Sequence, residues 1–101
     1  MLSAQSFKEY LKLAKRGNAE AQYEVGCRYY YGNDVKQNYD KALKWWYMAA
    51  EQNNLDAQYN LGLYYKTVEQ NLEEAVKWYY KAAEQGYAKA QNNIGTYYYF
   101  G

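Results

Sequence analysis

The chain has 101 residues, enough for one domain with a modest core and too few for two. It carries 12 Lys and Arg against 11 Asp and Glu, a net charge of +1. That balance argues against nucleic acid or an anionic membrane as the main partner, since both favour a clustered basic face. It contains neither histidine nor proline, so the usual general base and commonest metal ligand are missing and nothing forbids long helices.

The opening segment, MLSAQSFKEYLKLAKRG, alternates charged and apolar residues. It lacks the continuous apolar region and cleavage site of a signal peptide and reads as structure. Ser6 followed by Glu9 is a capping box for a helix over roughly 4–16, and Gly17 suits the left-handed residue after it. A second helix is expected over roughly 19–31, with Ala21, Val25, Gly26 and Tyr29 on one face. Glycine inside a helix costs about 1 kcal/mol against alanine. Its presence at Gly26 predicts that another backbone comes too close for a Cβ.

Asn38 caps a third helix over roughly 39–52, whose Ala42, Trp45, Trp46, Ala49 and Ala50 set large rings beside small grooves. Asn53 is the expected left-handed stop. The fourth helix, roughly 56–66, repeats the second with Ala57, Leu61, Gly62 and Tyr65. The fifth, roughly 72–85, repeats the third with Ala75, Trp78, Tyr79, Ala82 and Ala83. It starts at Asn71 with Glu74 closing a capping box and stops at Gly86. A sixth, roughly 88–99, carries Ala90, Ile94, Gly95 and Tyr98. No strand is needed.

These recurrences define units: 21–56, 57–89 and a partial 90–101. Residues 1–20 form an N-terminal capping helix or degenerate earlier unit, in which Tyr10, Ala14 and Gly17 match Trp46, Ala50 and Asn53. The second unit is three residues shorter than the first, losing the turn Gly32–Asp34. Its turn is therefore expected to be abrupt and the preceding helix to end early.

The pattern A-x-x-x-L-G-x-x-Y, then V, then K/E-A-x-x-W-Y/W-x-x-A-A resembles the Sel-one-like repeat (SLR) family, a relative of the tetratricopeptide repeats. The resemblance implies an all-α fold, an α/α solenoid built as a right-handed superhelix of helix–turn–helix repeats. The first helix of each unit would line a concave surface and the second the convex one. It also implies a protein-interaction scaffold, often an adaptor. Secreted members of the family staple each repeat with cysteine pairs. Here Cys27 stands alone, with Leu63 and Thr96 at its equivalents, so the cytoplasm is the expected compartment.

Candidate chemical groups do not assemble. Glu73 and Glu74 are adjacent on a helix, hence about 100° apart, and read as first-turn charges. Cys27 has no histidine to activate it. No phosphate loop, cofactor motif or metal-ligand spacing occurs, and no run approaches the ~20 apolar residues of a membrane span. No catalytic, cofactor-binding or metal residue is assigned, and a small hydrolase built on the repeat is the least supported reading.

A partner would meet the face of each first helix that the core leaves free. In the three units that face presents Tyr23, Glu24, Cys27 and Tyr30; Tyr59, Asn60, Leu63 and Lys66; and Asn92, Asn93, Thr96 and Tyr99. Tyrosine suits such a groove through its large contact area and polar tip. The expected partner is a protein or peptide segment, with no nucleic acid and no membrane insertion; neutralising a partner enzyme is one form of this. The alternative is a structural module of a longer array. In it Ile94, Tyr97, Tyr98 and Phe100, which no second helix covers, drive self-association as a homodimer through the C-terminal helix.

Overall fold

The computed structural model describes residues 6–91. Five α-helices follow in order: α1 (Phe7–Lys15), α2 (Ala19–Tyr31), α3 (Tyr39–Glu51), α4 (Leu55–Thr67) and α5 (Leu72–Glu84). A sixth helical stretch occupies 88–91, and no strand occurs among the described residues. Contacts divide the chain into two compact units, one running through Asn54 and the other from Leu55.

Helix starts follow the cap chemistry. Ser6 Oγ accepts from the Glu9 N–H at 3.2 Å while Glu9 Oε1 accepts from the Ser6 N–H at 3.0 Å, closing the box. Asn18, Asn38 and Asn71 each accept the backbone N–H three residues on. Glu74 departs from expectation: its carboxylate takes Lys77 Nζ at 3.2 Å instead of completing a box with Asn71. A full charge one turn away outcompetes a backbone amide.

Helix ends repeat one design. Gly17, Asn53 and Gly86 have φ of +100°, +67° and +90°, and their N–H groups donate to Ala14, Ala50 and Ala83 at 2.9–3.0 Å. Thus α1 terminates in the same way as α3 and α5.

In the first unit, Ala14, Ala21 and Val25 are buried against Phe7, Tyr10, Leu11, Leu13, Tyr29 and Trp45. Ala42, Trp46, Ala49 and Ala50 on α3 are also buried. In the second, Ala75, Tyr79, Ala82 and Ala90 form the cluster, with Tyr59, Leu63, Tyr65, Ala83 and Tyr87 packed on it.

The missing turn residues are absorbed entirely outside the helices. Both α2 and α4 have 13 residues, so α4 does not end early, contrary to the sequence expectation. Main-chain tethers explain this. Asn38 N–H donates to Tyr29 O at 2.8 Å and Asn71 N–H to Tyr65 O at 2.7 Å. Tyr29 and Tyr65 hold the same place in their units, so the entry to each second helix is pinned at one level and only the intervening loop changes length.

Candidate interaction surface

The core face of α2 and α4 is small and buried. Ala21, Val25 and Gly26 in α2 and Ala57, Leu61 and Gly62 in α4 are covered. Each glycine faces an aromatic ring and not, as the sequence suggested, primarily a backbone. A Cβ on Gly62 would stand 2.6 Å from Tyr79 Cε1, and one on Gly26 would meet Trp46, with Ala42 O at 3.1 Å behind it. The ring is held: Trp46 Nε1–H donates to Tyr23 O at 3.2 Å.

Beside each alanine lies a buried glutamine that hydrophobic periodicity passes over. Gln22 is 2% and Gln58 1% exposed. Gln22 Nε2 donates to Ala14 O at 3.1 Å, and its Oε1 accepts from Gln52 Nε2 at 3.0 Å. Gln52 also reaches Gly17 O at 2.9 Å. In the second unit Gln85 Nε2 donates to Gln58 Oε1 at 3.3 Å, and Gln91 Nε2 to Ala83 O at 3.0 Å. Ala-Gln at 21–22, 57–58 and 90–91, with Ala-Glu-Gln at 50–52 and 83–85, was the available sequence signal.

The second face of the first helices is half open. Tyr23, Glu24, Cys27 and Tyr30 on α2 and Tyr59, Asn60 and Leu63 on α4 are partly exposed, and Lys66 is exposed. Several of these also serve their own unit. Tyr30 stacks on Tyr39 (centroids 4.5 Å apart) and on Trp46 (5.0 Å). Burial, then the neighbouring Tyr39, raises its hydroxyl above the ordinary tyrosine range. Tyr59 stacks on Tyr87 at 5.3 Å and tilts against Tyr79 at 5.4 Å. Tyr87 in turn donates to Asp56 Oδ1 at 2.7 Å. Its hydroxyl is pushed up to about 12, first by burial, then by that hydrogen bond and the carboxylate charge. Cys27 is half-buried and forms no disulfide.

Asn92, Asn93, Thr96 and Tyr99, together with Ile94, Tyr97, Tyr98 and Phe100, lie outside the described residues. Among the described residues no group of three His, Cys, Asp or Glu side chains could hold a metal ion. No helix among them is long and apolar enough to cross a membrane. Each half-open face thus presents broad side chains beside a few polar groups: Glu24 on α2, Asn60 and Lys66 on α4.

Comparison with known proteins gives one answer. The Sel1 repeat family model matches residues 19–54, 55–87 and 88–101. A putative sel1-like repeat-containing protein, L18, of Acanthamoeba polyphaga mimivirus is 49% identical over 47 residues, 46% of this chain and 8% of that protein. Among solved structures, c5321, a protective antigen of uropathogenic Escherichia coli displaying an SLR fold, aligns with a TM-score of 0.90 and 39% identity. That alignment covers 94% of this chain and 21% of the antigen. A Sel1 repeat protein from Oxalobacter formigenes aligns at 0.85 and 37% identity over 91% of this chain and 39% of its own length. The chain therefore spans well under half of each relative.

Proposed function

The chain belongs to the Sel1 repeat family, and from that premise we propose that it binds a protein or peptide segment on the second face of its first helices, α2 in the first unit and α4 in the second. The Sel1 repeat fold is a protein-interaction scaffold, and its α/α solenoid architecture is the one this chain adopts. One observation carries the finer reading: on both first helices the small positions are buried while Tyr23, Cys27, Asn60 and Leu63 stay half exposed and Lys66 exposed. Large side chains left partly open on a rigid helix lose little rotamer entropy on binding, which suits a recognition surface. Asn60 offers donors and acceptors to an extended backbone, and Tyr23 offers ring area.

The test compares two surface variants of the full chain. Tyr23→Ala with Asn60→Ala removes contacts from the proposed face, leaving Tyr59 in place because its ring packs on Tyr79. Met48→Ala with Tyr80→Ala removes exposed side chains from α3 and α5. A partner captured saturably by the wild type should be lost from the first variant and kept by the second, with helicity unchanged in both. Equal retention by both moves the binding surface elsewhere.

A further inference from the structure

We infer that the outward stripe of α1 is a second docking surface, for an acidic protein segment, separate from the face proposed on α2 and α4. Lys8, Lys12 and Lys15 recur at i, i+4 and i+7 and are all exposed, as is Arg16. The one acid in α1, Glu9, is engaged with its own N-cap. The equivalent stripes differ. In α3 these places are Lys44, Met48, Glu51 and Gln52, and in α5 they are Lys77, Lys81, Glu84 and Gln85. A helix that shares the C-terminal design of α3 and α5 has exchanged an acid and an amide for two cations. The near-neutral total conceals this: residues 6–17 hold four basic side chains and one acidic, +3, which leaves −2 for the remainder of a chain of net +1.

Carboxylates spaced along a helix or extended segment would meet three ammonium groups in succession, each pair adding attraction and orientation. A bilayer is the poorer fit. Surface-lying membrane helices bury an apolar face, and Phe7, Leu11 and Leu13 are already turned into the first unit's core. Polynucleotide is poorer too, since four cations over two turns make a short track for a phosphate backbone.

The probe is a fluorescein-labelled helical peptide with glutamates at i, i+4 and i+7, beside a counterpart carrying glutamines. Fluorescence anisotropy with the full chain at low ionic strength should show saturable binding of the glutamate peptide and about tenfold weaker binding of the glutamine one. The triple variant Lys8→Gln, Lys12→Gln, Lys15→Gln should lose the same factor. Lys44→Gln, Lys77→Gln, Lys81→Gln, which removes as many charges from the other stripes, should not. Equal loss in both triples would reduce the effect to net charge and overturn the assignment. So would indifference to the glutamate peptide, or preferential uptake through these lysines of phosphatidylserine-containing vesicles or duplex DNA. The peptide pair tests the wild type directly, so the outcome does not hang on the folding of any variant.

Discussion

The two units solve one packing problem with different side chains. In the first, a seven-residue loop after α2 is braced by Arg28, whose guanidinium donates to Asp34 at 2.6 Å and to Glu24 at 3.4 Å and lies 5.1 Å from the Tyr10 ring centre. In the second, Tyr64 stands at the same place in the repeat. It braces a four-residue loop by donating to Glu69 Oε2 at 3.0 Å. The donor shortens with the loop. Beneath the brace the tether from the second helix to Tyr29 O or Tyr65 O is the same in both. The difference teaches that the repeat fixes main-chain geometry and the small-residue seam, while polar side chains adapt to loop length.

The sharpest way to break that comparison is at the seam. Gly26→Leu and Gly62→Leu should each destabilise their unit by about 1–3 kcal/mol or more, because the clash is with a buried ring. Gly26 should suffer more: Trp46 is tied to Tyr23 O, and Ala42 O blocks retreat. Leu63→Ala, at a half-exposed position, should cost less than either. Urea melts that ranked Leu63→Ala above Gly62→Leu would invert the assignment of the α4 faces.

Next in size is the buried amide. Gln22→Leu removes one partner each from Ala14 O and Gln52 Nε2. Both keep another, the Gly17 N–H and Gly17 O, so the cost is that of two net hydrogen bonds, about 0.5–1.5 kcal/mol each. A double-mutant cycle with Gln52→Ala should show coupling, since the two share a hydrogen bond. Additive losses would mean that the glutamines act separately.

Alkaline pH separates the units differently. The folded Tyr87 hydroxyl titrates near 12 against about 10 in an unfolded chain. The fold thus holds the proton more tightly, and this contribution is complete below pH about 10 and lost as pH rises towards 12. Tyr87→Phe should flatten that part of the alkaline fall in stability. A profile unchanged by Tyr87→Phe, in melts run across the tyrosinate transition, would remove Asp56–Tyr87 as a determinant.

Much of this was legible from the residues. Helix starts at Ser6 and Asn38, stops at Gly17, Asn53 and Gly86, and the alanine–glycine seam follow from local rules that act within one turn. What local rules do not decide are choices among partners. Hydrophobic periodicity passes over Gln22 and Gln58, whose burial goes with hydrogen bonds to neighbouring helices. Tyr30 stands on the half-open face, and its ring also stacks on Tyr39 and on Trp46. Glu74 had two acceptable donors and took the charged one. The length of α4 depended on a tether across the hairpin that spacing cannot display.

The smallest predicted effect contrasts the two loops at residues of similar left-handed φ. Asp34 and Gln70 both adopt left-handed φ, +65° and +54°. Asp tolerates that region through its short polar side chain, whereas a longer side chain such as Gln pays about 1–2 kcal/mol there. Glycine removes the strain but returns about 0.4–1 kcal/mol through the greater freedom of the unfolded chain. Gln70→Gly should therefore stabilise the second unit slightly, by about 0.5 kcal/mol net. Asp34→Gly should not stabilise the first, because it relieves less strain and removes the Arg28 partner, whose exposed pairing adds about 0.2–1 kcal/mol. Added salt should shrink the cost at Asp34, where two charges meet, and leave the gain at Gln70 untouched. Substitutions that moved both loops in one direction, at low and high salt alike, would show that backbone strain outweighs the side-chain brace in each.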